Sequence, residues 1–330
     1  MNRRRLLASM LGSGLVARAT QLRAQPTATS MRRVGVLAPS TREKEEVTLK
    51  FFFVQMRELG WIEGQNIAYD RLYADDQMAL LPRLAVELVA RKPEVIFAPP
   101  TPAAVAAQQA TQTIPIVFQA VADPVGSGLV TSLARPGGNV TGISGVFGTL
   151  VLKRVELLRE ILPNAKRLGC LGDSNDRLSK LDQQVLAPIA ASLGLTLIFA
   201  EAANLVEFES AVARLGAERV DAIFPAGTGI NFFNMRARLI ELASERRVPV
   251  IGHLLPVAEA GALFTYGAPL DDRARRSAQM VDKILKGAKP ADIPVEQPTL
   301  FELVVNLKAA MLLGIKIPQS ILLRADRVIE

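Results

Sequence analysis

The 330-residue chain has one cysteine, one histidine, one tryptophan and three tyrosines. A single cysteine excludes an intramolecular disulfide. One histidine with one cysteine excludes a His/Cys transition-metal cluster. No G-x-x-x-x-G-K-[ST] loop, no G-x-G-x-x-G after a first strand and no G-x-S-x-G elbow is present, so the familiar nucleotide-binding and hydrolase signatures are missing. No stretch reaches 18 uninterrupted apolar residues, the length a membrane-spanning helix needs. Basic charge is also scarcer than the formal +7 suggests: the first 24 residues hold five arginines and no acid, and without them the balance is +2. With no further basic run, the electrostatic footprint of a nucleic-acid binder is absent. Apolar residues make up 49% of the chain, which suits an ordered globular protein of about two domains.

Residues 1–24, "MNRRRLLASMLGSGLVARATQLRA", have the anatomy of an export signal. Three arginines precede a 12-residue apolar stretch, Leu6 to Ala17, and small residues follow, so that cleavage falls after Ala19 or Ala24. Arg-Arg-Arg-Leu-Leu matches part of a twin-arginine signal, which leaves Sec and Tat export both open. No cysteine adjoins either cleavage point, so the expected product is a soluble periplasmic protein without a lipid anchor.

From residue 33 the pattern alternates between short apolar strands and amphipathic helices, the mark of βαβ units and a parallel sheet. The plan is written twice. "RRVGVL" at 32–37 matches "KRLGCL" at 166–171, Leu59-Gly60 matches Leu193-Gly194, and Ile114-Pro115-Ile116 matches Val248-Pro249-Val250, each at an offset of 134 residues. "EVIFAPPT" matches "DAIFPAGT" at an offset of 127. Cys170 lies in one of these apolar runs and reads as a core thiol. Two similar α/β lobes imply a cleft, and ligands of open parallel sheets sit outside the carboxyl ends of the strands. The candidate loops are therefore Ala38 to Thr41, Pro99 to Pro102, Ala122 to Pro124, Gly172 to Asn175 and Ala226 to Gly229. Thr101 is placed as an N-cap with Pro102 as first helical residue, and Asp123-Pro124 repeats that arrangement. Ser40 and Thr101 with helix N–H groups would hold a carboxylate, and Asp123 an ammonium, which suits an amino-acid-like zwitterion. His253 follows the "VPVI" strand, where it lines the cleft or sits at the surface or a hinge.

Over residues 31–330 the chain resembles the periplasmic substrate-binding components of ABC transporters, in the branch related to tryptophan- and tyrosine-binding proteins. The resemblance rests on "TPAAVAAQQAT", "AVADPVGSGLVTSLARPGGNVTGIS", "EAGALFTYG" and the long block "RRSAQMVDKILKGAKPADIPVEQPTLFELVVNLKAAMLLGIKIPQSILLRADRVIE". It implies a type I periplasmic binding protein fold: two Rossmann-like lobes, 31–144 plus 267–297 and 145–266 plus 298–330, joined by a three-stranded hinge. It further implies ligand contacts at Ser40, Thr41, Thr101 and Asp123 on one side, and at Asp173, Ser174, Asn175 and Thr228 on the other. The implied partners are a small-molecule ligand and an inner-membrane ABC permease, for a monomer with no cofactor, no metal, no catalysis and no nucleic acid. Pro99-Pro100 and the Gly-rich "FPAGTGI" depart from the family pattern at the pocket, which weakens the transfer of an aromatic amino acid as ligand. A sensor for a membrane signalling partner and an enzyme on the same scaffold are the alternative functions.

Overall fold

The structure, a computed structural model, describes residues 31–146, 148–174, 177–227 and 233–330, without the side chains of 148, 149, 177, 178 and 205. The export-signal reading and its two cleavage points therefore lie outside the described residues. Residues 31–330 form one compact unit.

Its first sheet contains β1 (Arg32–Ala38), β2 (Ile67–Tyr73), β3 (Val95–Phe97), β4 (Ile116–Val121) and β5 (Val140–Ser144). They lie in the order β2-β1-β3-β4-β5, all parallel. Helices α1 (Arg42–Glu58), α2 (Leu81–Ala90) and α3 (Thr101–Ala110) connect them. The central strands β1, β3 and β4 are almost entirely apolar and buried, as strands covered by helices on both faces must be.

The second half repeats the arrangement. Strands β6 (Arg167–Asp173), β7 (Thr196–Ala202) and β8 (Ala222–Pro225) lie in the order β7-β6-β8. A single bridge between Ile223 and Val250 carries this sheet on to β9 (Ile251–Gly252), β10 (Phe264–Gly267), β11 (Glu302–Asn306) and β12 (Arg327–Ile329). Only β11 runs antiparallel to its neighbour β10. The helices here are α4 (Gly148–Ile161), α5 (Arg177–Ser192), α6 (Leu205–Ala217), α7 (Arg236–Glu245), α8 (Leu255–Glu259), α9 (Leu270–Leu285), α10 (Leu307–Leu313) and α11 (Gln319–Leu322). The doubled parallel α/β pattern expected from the sequence is thus present, with β6 to β9 following the order of β1 to β4.

Sequence order and packing part company at three points. After Ser144 the chain leaves the first sheet, and α4 packs its Val151, Val155 and Leu158 into the core of the second. After Gly267 it returns: Ala274, Ala278 and Val281 of α9 pack with Val34, Val36, Phe52 and Phe97 of the first half. Glu296 then bridges Ile143 at the edge of the first sheet, and the chain passes to β11. Phe52 and Phe97 stack with ring centroids 4.1 Å apart beneath α9. Burying a side chain of that size is worth about 2–3 kcal/mol, so the returning helix is firmly anchored. Gly267 sits where β10 meets the loop after β9. A Cβ there would lie 2.1 Å from the His253 carbonyl oxygen, so only glycine allows this approach.

Candidate functional site

The carboxyl ends of strands from both sheets converge on a cavity of about 90 Å³. The first half supplies Ser40 after β1, Pro99 and Pro100 after β3, and Gln119 and Ala120 at the end of β4. The second supplies Phe233 and Asn234, and His253 and Leu254 after β9. Lys44, Glu45 and Thr48 of α1 and Leu270 and Arg273 of α9 complete the wall. A larger groove of about 980 Å³ opens beside it and shares Asn234 and Leu270. Its walls are mostly helix flanks and the chain near β11 and β12, whereas the smaller cavity lies where strand ends from both sheets meet. The smaller one is the candidate site on that ground.

The first wall is held by a short network. Ser40 is 1% exposed. Its N–H donates to Glu45 Oε1 at 3.2 Å, and Thr48 Oγ1 donates to Glu45 Oε2 at 3.2 Å. Burial raises the Glu45 carboxyl to about 6, the Ser40 N–H and Thr48 hydroxyl opposing the shift. Asn234 reaches across from the other half: its Nδ2 donates to Ser40 Oγ at 2.7 Å and, more weakly, to Asp76 Oδ1 at 3.4 Å. Lys44 pairs with that same Asp76. One polar chain thus ties the loop after β1 to the segment after β8.

Three buried polar atoms of residues in this lining have no partner: Gln119 Oε1, His253 Nε2 and Arg273 Nε. Most buried polar groups in proteins are paired, so three orphans around one void call for an explanation. Gln119 and Arg273 are each 6% exposed. Burial lowers the Arg273 guanidinium to about 10, so it remains charged at neutral pH. Burial, then Arg154, then Arg273, hold the His253 imidazole well below its ordinary range, and the ring is neutral. Ala120, beside Gln119, has φ of 59° at a register shift in the β4–β5 pairing. That left-handed conformation is costly for alanine and re-aims the end of β4 at the cavity. The Pro99-Pro100 peptide bond is cis.

A second polar cluster lies behind the first. Arg154 of α4 is 4% exposed, donates from Nε to the Tyr266 carbonyl oxygen at 3.1 Å, and lies 5.5 Å from the Phe224 ring centroid. Burial lowers it to about 10, with the Asp182 charge opposing. Asp182 accepts from the Gly227 N–H at 2.8 Å, and burial raises its carboxyl. Cys170 is buried and its thiol is pushed up by burial, which fits an inert core thiol.

Of the eight residues singled out from sequence, Ser40 lines the cavity. Thr41 precedes α1, and its carbonyl oxygen accepts from the Glu45 N–H at 3.0 Å. Thr101 is the first residue of α3, not its cap. Pro100 occupies the cap position, where it brings no side-chain hydrogen bond. The carboxylate of Asp123 closes its own turn by accepting from the Gly126 N–H at 2.7 Å. Neither Thr101 nor Asp123 reaches the cavity wall. Asp173 is buried, and its N–H donates to Ser179 Oγ at 2.9 Å. The Ser174 N–H donates to the Ala202 carbonyl at 3.3 Å. Asn175 and Thr228 lie outside the described residues. Sequence reasoning missed Glu45, Gln119, Asn234 and Arg273. The signal for Arg273 was helical phase: it shares the buried stripe of α9 with Ser277 and Val281, four and eight residues on.

Residues 36–329 match the family model described as ABC transporter substrate binding protein. The chain is 28% identical over 257 residues to a tyrosine-binding protein of Clostridioides difficile (strain R20291), a match covering 78% of this chain and 73% of the relative. It is also similar to a crystal structure from Streptococcus pneumoniae in complex with L-Trp, with a TM-score of 0.83 and 29% identity over 91% of this chain and all of that one. A ligand-free, open substrate-binding protein with adhesive properties from Clostridium difficile gives a TM-score of 0.67 at 28% identity, covering 91% and 99% of the two chains. The fold is that of the type I periplasmic binding proteins. The chain belongs to the ABC transporter substrate-binding protein family.

Proposed function

We propose that this family member is the solute receptor of an ABC importer, and that its small polar solute is enclosed in the cavity between the strand ends of the two sheets. The observation that carries this reading is that cavity itself: walls from both halves, a hydrogen bond from Asn234 to Ser40 across it, and three buried polar atoms left without partners. In this reading residues 31–144 plus 267–297 form one lobe and 145–266 plus 298–330 the other. The segments at Gly145, Tyr266-Gly267 and Pro298 form the hinge. Solute contacts to both lobes select the closed state. The difference in overlap supports taking the present arrangement as that closed state. At nearly equal identity, the L-Trp complex superposes well and the open, ligand-free relative superposes poorly.

The function needs no chemistry on the solute, and its partner is an inner-membrane permease that reads closure. The protein acts as a monomer in the periplasm after removal of the N-terminal signal. No helix among the described residues is long and apolar enough to cross a membrane. The test is a thermal-shift panel of amino acids, purines and small carboxylates on the purified protein. A solute at 100 times its Kd adds about 2.7 kcal/mol of stability, and Asn234→Leu should reduce that gain. A panel that shifts nothing, or a shift indifferent to Asn234, would remove this cavity as the receptor site.

A further inference from the structure

Arg273 is a buried charge that the described residues leave without a hydrogen bond at Nε. It is charged and 6% exposed, it lines the cavity, and its Nε has no partner. No ion pair within 4 Å engages it among the described residues, although its neighbours on α9, Arg275 and Arg276, both pair with acids. The Asp272 charge favours the cation without contacting it and pairs instead with Arg275 and Arg276; a buried guanidinium without a contacting counter-ion is costly unless something supplies one. Guanidinium presents a planar fork that matches a carboxylate with two parallel hydrogen bonds. His253 brings a further orphan atom, Nε2, to the same wall. A neutral imidazole protonated at that nitrogen offers an N–H to an anion.

Glu45 is the one carboxylate among the described residues of the lining, and its oxygens accept from the Ser40 N–H and from Thr48, not from Arg273. Asp123 is engaged with Gly126 and stands outside the lining.

We infer that Arg273, with the neutral His253 beside it, is the anion anchor of the cavity and that the receptor selects solutes bearing a carboxylate. The inference rests on the proposed receptor reading. It moves the anchor from the start of α3, where the sequence placed it, to the helix that returns from β10.

Matched acid and amide pairs test it: propionate against propionamide and lactate against lactamide, with L-alanine and L-tryptophan as further probes. Each is titrated by calorimetry and thermal shift into the wild type, Arg273→Met and Arg273→Lys. In the wild type the acids should bind at least 100-fold more tightly than their amides. Arg273→Met should abolish the acid shift while the unliganded protein melts at the same or a higher temperature, which a merely structural arginine would not do. Arg273→Lys keeps the charge without the fork and should cost at least tenfold in affinity, so the inference stays testable if the methionine variant does not fold. Amides binding within threefold of the acids, or Arg273 variants that keep the acid shift, would overturn the inference. Binding of L-tryptophan that depends on Asn234 but not on Arg273 would also overturn it and leave the receptor reading intact. Silence from every probe in a broad panel removes the receptor reading itself.

Discussion

Arg154 and Arg273 each lie on the helix that follows a crossing strand, α4 after β5 in its middle and α9 after β10 in its first turn, and each is almost wholly buried. Burial lowers both to about 10. Each also feels one acidic charge that it does not contact, Asp182 and Asp272 respectively. There the likeness ends. Arg154 donates to a carbonyl oxygen and faces an aromatic ring. Arg273 lines the cavity, and its buried Nε has no partner. The two helices carry a hydrogen-bonded structural arginine in one half and one with an unpaired Nε at the cavity in the other. Buried charge alone therefore does not mark a site. What marks it is a buried charge whose hydrogen-bond partner the chain does not provide.

The largest effects should come from breaking the satisfied side. Arg154→Met removes a charge-assisted hydrogen bond and strands the buried Asp182, and should cost about 2–3 kcal/mol in urea denaturation. Arg273→Met, made at the corresponding helix, should leave the unliganded protein unchanged or up to about 1 kcal/mol more stable. Equal losses in both variants would erase the distinction between them.

Next come two buried titratable groups of the cavity whose pH effects oppose. The Glu45 carboxyl, raised to about 6, titrates near 4.5 when unfolded, so the unfolded chain releases its proton first. Stability is lost as pH rises through that window, about 2 kcal/mol in all. The folded His253 ring refuses a proton that the unfolded chain takes near 6.5, so stability is lost as pH falls below that value. Between pH of about 4.5 and 6 the two slopes largely cancel. Glu45→Gln should expose the histidine slope, with stability falling on acidification relative to wild type. His253→Gln should expose the glutamate slope, with the opposite sign. Chemical melts at three pH values read both.

Asn234→Ala removes a neutral hydrogen bond that spans the two halves, worth about 1 kcal/mol. It should weaken solute affinity about fivefold, mainly by destabilising the closed arrangement. The smallest effect expected is that of Ala120→Gly. It relieves a left-handed alanine and should raise melting stability by about 0.5–1 kcal/mol, while loosening the end of β4 and lowering affinity slightly.

The doubled frame was legible because backbone pattern repeats: equal offsets in apolar runs reappear as equal strand orders. Ser40 was legible for the same reason, since a strand end is a place a periodic pattern can locate. The side chains that give the cavity its chemistry do not repeat. Glu45 stands in "REKEE", where five polar residues look alike until α1 turns one of them inward. Arg273 stands among Arg275 and Arg276, and only the contact of α9 with the first sheet decides which of the three faces in. Asn234 matters through a hydrogen bond to a residue 194 positions earlier, which no local pattern encodes. Thr101 and Asp123 attracted notice as cap-like residues before proline. The structure begins α3 one residue earlier than that reading and gives Asp123 a turn to close.

The central claim is that solute closes the two halves on each other, and a distance across them tests it most directly. Val86 of α2 and Val206 of α6 are exposed, one in each half, and the native Cys170 is buried and unreactive. Spin labels on Val86→Cys and Val206→Cys report the separation by pulsed electron resonance. With the panel compound that binds most tightly, as measured by calorimetry, the account predicts a broad distribution that collapses to one shorter distance. An unchanged distribution with the site saturated would contradict it.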